Sequence, residues 1–243
     1  MPTIYLSPST QEGNFYVTGG SEEYHMNQLA DALEPYLRAN AISFKRNNPN
    51  QTAVANIRES NAGDYALHLA LHSNAAPEYG SMRGVDIYYF PGSYSGQRAA
   101  NIAARRFKEI YPLPDKVRAL PTTRLGEVDK VKAPALFLEI GYHDNPEDAN
   151  WVTDNLDTIA RAIGQTLSEY FGQPFVTPIQ PQQATVTTSG TDLNLRARPS
   201  TSAAVIGSIP RGARVTVYGL LPEWASVSYN NKTGFVSRRY LNI

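Results

Sequence analysis

Tyr65-Ala66-Leu67-His68-Leu69-Ala70-Leu71-His72-Ser73-Asn74 is the stretch on which the fold turns. It is mostly apolar to Leu71 and then turns polar. A short apolar run that ends in polar loop residues reads as a strand buried on both faces, as in parallel sheets. Its two histidines sharpen the choice. In a helix, His68 and His72 face each other and chelate a metal. In a strand they share a face but lie about 13 Å apart at about 3.3 Å per residue, too far for one ion. The apolar surroundings favour the strand. That makes His68 structural and leaves His72 at a strand end, where open α/β sheets carry their sites.

Working outward, Pro134 to Ile140 is a second buried strand with Glu139 near its end. Ile4-Tyr5-Leu6 is a short strand closed by Ser7-Pro8-Ser9, and Ala41 to Phe44 and Gly84 to Phe90 are further strands. Between them, Glu22 to Asn40 carries Met26, Leu29, Ala30, Leu33, Tyr36 and Leu37 at the 3.6-residue spacing of an amphipathic helix. Ala53 to Ala62 and Gly96 to Ile110 are helices as well, and Asn150 to Phe171 reads as one long closing helix. Alternating strands and helices predict an α/β fold, with a mostly parallel central sheet and helices on both faces.

The chain has 243 residues, enough for one large or two smaller domains. Hydrophobic residues make up 42% and charged residues 18%, which argues for a packed core and against disorder. The absence of cysteine excludes a disulfide framework, a thiolate metal site and a thiol nucleophile. No window approaches the roughly 18–20 apolar residues of a membrane span. Met1 to Leu6 lacks the basic and long apolar segments of a signal peptide, so none is expected in this chain.

Residues 173–184 hold Pro174, Pro178 and Pro181 among four glutamines and no charges, the composition of an extended, semi-rigid linker. The domains expected are therefore 1–172 and 185–243. The second has a different rhythm, with short strands at Val205 to Ile209, Arg214 to Tyr218, Trp224 to Tyr229 and Gly234 to Val236, as in a small all-β barrel or sandwich. From Thr185 onward it holds seven Lys and Arg against two Asp and Glu, a basic tail on an acidic body. No recognition pattern for nucleic acid accompanies the charge.

Four loops carry residues of catalytic type: Ser7 to Glu12, Ser21 to His25, His72 to Ala75, and Glu139 to Asn145. A carboxylate near the end of a buried strand, as at Glu139, is costly unless paired, metal-linked or exposed in a cleft. Glu22 and Glu23 open a helix, where the dipole favours acids and Ser21 is a good cap. His25 lies three residues after Glu22 on the same helix face, a spacing that can hold a metal.

Residues 3 to about 171 resemble the zinc-dependent N-acetylmuramoyl-L-alanine amidases of bacterial and phage wall lysis, the amidase type 3 group. The resemblance is carried by Leu71-His72-Ser73-Asn74-Ala75, by Pro134-Ala135-Leu136-Phe137-Leu138-Glu139-Ile140-Gly141-Tyr142 with Asn145-Pro146, and by a Glu before the helix bearing Leu29-Ala30. Thr185 to Ile243 resembles bacterial SH3-like domains through Leu193-Asn194-Leu195-Arg196-Ala197-Arg198-Pro199-Ser200, Trp224-Ala225-Ser226-Val227 and Gly234-Phe235-Val236-Ser237.

The resemblance implies a Zn2+ ion with His72 as one ligand, a helix Glu as another, and Glu139 as the catalytic base. Ungapped alignment of the helix selects Glu22, with Glu23 as the one-residue-shifted alternative. The family's first-loop His is missing, since no His precedes His25. Gln11 is the best substitute, with Glu12 and His25 behind it. The implied activity is peptidoglycan hydrolysis between N-acetylmuramic acid and L-alanine of the stem peptide by zinc-activated water, in an endolysin or autolysin acting at the bacterial cell wall. Release by phage lysis or from a lysing mother cell suits a chain without a signal peptide. The implied partners are peptidoglycan for both domains, with no nucleic acid and no membrane. The alternatives are a catalytically inactive wall-binding protein with a degenerate metal site, and a zinc peptidase cutting within the stem peptide.

Overall fold

The computed structural model describes residues 1–243. In chain order its elements are β1 (Thr3–Pro8), α1 (Glu22–Ala39), β2 (Ser43–Arg46), α2 (Ala53–Ala62), β3 (Leu67–Asn74), β4 (Val85–Tyr89), α3 (Tyr94–Ile110), β5 (Val117–Pro121), α4 (Gly126–Asp129), β6 (Ala135–Tyr142), α5 (Pro146–Asp154) and α6 (Leu156–Tyr170). Seven strands follow: β7 (Pro178–Val186), β8 (Leu193–Arg196), β9 (Val205–Ile209), β10 (Arg214–Leu220), β11 (Trp224–Tyr229), β12 (Lys232–Ser237) and β13 (Leu241–Asn242). Two compact units divide the chain. One comprises Pro2–Leu33 and Phe44–Tyr170; the other comprises Phe171–Ile243 together with Glu34–Ser43 and Met1.

The first sheet has the order β2-β1-β3-β6-β4-β5. β1, β3 and β6 run parallel, as do β4 and β5, and β4 meets β6 antiparallel. This is the mostly parallel α/β sheet expected. The apolar stripe of α1 is buried at all six anticipated positions. The chain passes outward from β1 to β2 and then returns to β3 on the other side of β1. That reversal opens a crevice at the carboxyl ends of β1 and β3, the place where such sheets bind ligands. The loop after Pro8 and the His72 end of β3 meet there.

Three boundaries differ from the sequence reading. α1 stops at Ala39 because Ala41 turns left-handed at φ +49° and the amides of Ala41 and Ile42 fold back onto Arg38 and Leu37. The strand after it is displaced to Ser43–Arg46. The single closing helix is two helices, α5 and α6. Asn155 ends α5, and its side chain donates to the Trp151 carbonyl at 2.8 Å, the kind of local bond that competes with helix continuation. Strand β5 and the one-turn helix α4 carry too little periodicity to be read from sequence.

Gly141 is the one glycine whose geometry shapes the site. Its φ is +72°, and it sits where β6 spends one residue more than β3, since His72 pairs with Glu139 but Asn74 pairs with Tyr142. A bulge with a left-handed glycine turns the strand end. The turn brings the His143 amide to the Asn74 carbonyl at 2.8 Å.

The second sheet is antiparallel throughout, in the order β13-β7-β10-β11-β12-β8-β9. Its core gathers Val186, Leu193, Leu195, Ile209, Val215, Val217, Val227 and Val236. Asn230 and Asn231 both have positive φ, 46° and 60°, and join β11 to β12 as a two-residue hairpin turn of the primed type. Residues 178–184, part of the Pro/Gln-rich stretch, lie in β7. Pro181 is accommodated because Ile179, Gln180 and Pro181 stand opposite Tyr218 alone, in a bulge where a missing N–H costs no ladder bond.

Candidate active site

β3, β6, β4 and β5 set out one row of paired residues across the sheet. His72 stands opposite Glu139, Glu139 opposite Asp86, and Asp86 opposite Arg118. Arg118 grips Asp86 with two bonds of 2.8 Å, which balances that charge. Glu139 therefore stands between a neutralised carboxylate and an imidazole.

His72 is the hub. Its Nδ1 lies 2.8 Å from Glu22 Oε1 and its Nε2 lies 3.1 Å from Glu127 Oε2. All three residues are buried, at 6%, 1% and 5% exposure. Burial alone would pull the imidazole pKa down, but the bonds to Glu127 and Glu22, with their charges, outweigh it and raise His72 to about 10. Conversely, burial would raise both carboxylates, yet His72 holds Glu22 below its ordinary value, and His68 and His72 hold Glu127 well below the usual carboxylate range. The Glu139 carboxyl goes the other way. Burial raises it most, His72 lowers it, Glu22 and Asp86 raise it further, and it reaches about 8. Its Oε2 is shut off from solvent and has no hydrogen-bond partner.

Ser21 caps the first turn of α1, where its hydroxyl accepts from the Tyr24 amide at 3.1 Å and Glu22 becomes the first helical residue. Glu22 enters the crevice; Glu23 instead accepts a side-chain bond from Asn27 at 3.0 Å and does not reach His72. Gln11 does reach it, with its Nε2 3.4 Å from His72 Nδ1. The Gln11 oxygen accepts from Asn14 Nδ2 at 3.0 Å, and the same Asn14 nitrogen donates to Glu22 Oε2 at 2.7 Å. A half-turn of the Gln11 carboxamide exchanges its oxygen and nitrogen. Glu12 lies exposed on the loop. His25 turns away: its Nε2 meets the Gly19 carbonyl at 2.8 Å and its ring packs on Tyr16 at 4.3 Å.

These donors fit a divalent cation. An imidazole nitrogen and a carboxylate oxygen are ligand types that zinc accepts, and the Gln11 amide lies beside them. No three His, Asp or Glu side chains are placed to hold one ion together, and the Gln11 amide is a further oxygen or nitrogen donor beside His72. The partnerless Glu139 oxygen, in the field of Glu22 and Asp86, marks a place where a positive charge is favoured.

Sequence reading missed Glu127 and the bridging Asn14. Glu127 sits on a single helical turn between Gly126 and Val128, too short for any periodic signal.

In the β-rich unit, a groove of about 790 Å³ is walled by Trp224 and Tyr240, with Arg238, Arg239, Asp192 and Thr188 at its edge. The Arg239 guanidinium lies over the Tyr240 ring at 4.4 Å. No helix is long and apolar enough to cross a membrane.

Comparison with known proteins follows the same division. The family model for N-acetylmuramoyl-L-alanine amidase matches residues 9–169, and that for the bacterial SH3 domain matches residues 191–242. The N-acetylmuramoyl-L-alanine amidase AmiC2 of Nostoc punctiforme superposes with a TM-score of 0.62 at 15% identity, over 71% of this chain and 98% of that one. The catalytic domain of the CD27L endolysin, which targets Clostridia difficile, gives 0.58 at 20% identity, over 70% and 98%. At these identities the likeness speaks for the fold. YrvJ of Bacillus subtilis (strain 168) is 40% identical over 57 residues, 24% of this chain; the chain matches 11% of that relative's length. With the matched model covering the greater part of its length, the chain belongs to the N-acetylmuramoyl-L-alanine amidase family and carries a bacterial SH3 domain at its C-terminal end.

Proposed function

We propose that the chain hydrolyses the amide between N-acetylmuramic acid and L-alanine of the peptidoglycan stem peptide, using zinc held by His72, Glu22 and Gln11, with Glu139 as base. Residues 1–172 act as the catalytic domain and 185–243 as the wall-binding domain. The reading is carried by the Glu139 carboxyl, whose Oε2 is buried without a partner, paired in register with His72 at the carboxyl edge of an amidase-family sheet. Zinc, when bound, supplies a Lewis acid that polarises the scissile carbonyl and eases deprotonation of water. His72 and Glu22 provide two donors from rigid elements, and Gln11 the third from its loop. Glu139 takes a proton from the attacking water and returns it to the departing L-alanine amine, base and then acid. A carboxyl raised to about 8 without metal suits this exchange, because a nearby cation lowers it toward working pH.

Digestion of purified cell walls is the test. The expected products are stem peptides with new L-alanine N-termini and no new reducing sugar ends. Other new N-termini would move the activity to a stem endopeptidase. Intact walls in the presence of zinc would leave a wall binder with an enzyme's fold.

Two further results are expected. Near pH 7, His72 carries a proton on Nδ1 and Glu139 holds most of its own, since both folded values lie above 7. Zinc uptake is therefore expected to release between about one and two protons per ion. Calorimetry in buffers of different ionisation enthalpy reads this directly, and a buffer-independent heat overturns it. At the tail groove, the double change Arg238→Ala and Arg239→Ala is expected to weaken pelleting of the full chain with insoluble walls about tenfold, the worth of one charge-assisted hydrogen bond of ~1.5 kcal/mol. Undiminished pelleting places the wall contact elsewhere on the domain.

A further inference from the structure

We infer that Glu127 is a positioning residue that prepares His72 for metal by holding the ring at Nε2 and leaving Nδ1 on the side of Glu22 and Gln11. The inference rests on the proposed role of His72 as a ligand and goes beyond it, since nothing in the family motifs points to α4.

His68 and His72 lie four residues apart on one face of β3, and one carboxylate bridges them. Glu127 Oε1 receives the Ser7 hydroxyl at 2.5 Å and His68 Nε2 at 3.1 Å, while Oε2 faces His72 Nε2 at 3.1 Å. Farther out, Ser60 Oγ meets His68 Nδ1 at 2.9 Å. The direction of the bonds to Glu127 follows. An ionised carboxylate only accepts, so both imidazoles present an Nε2–H to Glu127, and the Ser60 hydroxyl serves the remaining His68 nitrogen. The His72 ring is also stacked on Phe137, with centroids 4.4 Å apart and planes 12° from parallel. Stacking sets the plane of the ring and Glu127 holds its Nε2 edge. Nδ1 is left facing Glu22 and Gln11, the side on which a metal ligand is needed. A histidine ligand whose other nitrogen donates to a buried carboxylate is oriented and made more basic by it, and loss of such a partner weakens metal binding by about 10–100-fold.

Glu127→Gln separates this role from mere support of the fold. The amide matches the carboxylate in shape, but one arm becomes an NH2 group. Where that arm meets His72 Nε2, it donates and cannot hold an Nε2–H, so the ring is no longer fixed with Nδ1 toward the ion. In the full-length chain, Glu127→Gln is expected to bind zinc about 10–100-fold more weakly in competition with a chelator of known affinity. Long-range 1H–15N spectra of the imidazoles are expected to show the His72 proton leaving Nε2. Zinc affinity within about twofold of wild type, with the ring signals unmoved, overturns the positioning role even if the melting temperature falls.

The unaltered chain provides a test that needs no variant. Loaded with zinc, its His72 is expected to show a protonated Nε2 and a metal-shifted Nδ1. Metal on Nε2 overturns the inference outright. A wild-type chain that takes up no zinc overturns it together with the metal reading beneath it, whereas failure in the variant alone leaves that reading standing.

Discussion

Glu139→Gln is expected to slow release of L-alanine termini from cell walls by about 10²–10⁴-fold, the usual worth of a positioned general base. Glutamine fills the same space on β6 opposite His72, so zinc uptake is expected to survive. Loss of zinc along with activity would make Glu139 a ligand and not the base. The same substitution has an opposite effect on stability. In the metal-free fold, Glu139 keeps its proton up to about 8, whereas the unfolded chain gives it up near 4.5. Between those values the native state binds the extra proton, so its stability falls as pH rises. Glutamine carries no such penalty. Metal-free Glu139→Gln is expected to melt higher than metal-free wild type, by a margin that widens from pH 5 to pH 8. A margin independent of pH would show that the carboxyl is not held protonated.

Asp148→Ala is the largest expected loss of stability. Asp148 is fully buried at the first turn of α5. Its Oδ1 accepts from Arg83 Nε at 2.8 Å and the Tyr111 hydroxyl at 2.7 Å, and its Oδ2 from the amides of Gly84 at 3.0 Å and Tyr142 at 3.1 Å. One carboxylate thus joins the start of β4, the end of α3 and the end of β6. Truncation leaves the partly exposed Arg83 guanidinium to Glu147 alone and strands a phenol and two amides, which costs about 3–5 kcal/mol. At roughly 2–4 °C per kcal/mol for a domain of this size, the melting temperature is expected to fall by roughly 6–20 °C. Trp151, packed edge-on against Tyr111 at 4.8 Å, reports that region once Trp224 is replaced by Phe. A drop of less than about 1 kcal/mol would mean that water takes over these donors freely.

Much of the architecture was legible because it rests on long periodic signals. The α1 stripe from Met26 to Leu37 and the apolar runs of β3 and β6 are each decided by burial of many residues at once. The breaks were harder. Ala41 and Asn155 act through one backbone angle or one side-chain bond, and neither changes the hydrophobic pattern around it. At the site, His72 and Glu139 stood out as polar residues ending apolar strands, and the helix cap singled out Glu22 and Glu23 together. The structure brings Glu22 to His72 because it is the first helical residue after the Ser21 cap. Glu127 was invisible for a different reason. Its importance lies in contacts with Ser7, His68 and His72, all far away in sequence, and a single turn of helix carries no mark of them.

The row that sets Glu139 opposite His72 has a consequence for time as well as place. Two of the groups facing the crevice hang from interior strands whose amides are expected to exchange hydrogen only when the whole domain opens. Gln11 hangs from an exposed loop tip whose opening needs no such event. The chain thus holds a slow half and a fast half of one site. For the zinc proposed above, entry and escape would be clocked by the loop, while the geometry on the strands persists for as long as the fold does.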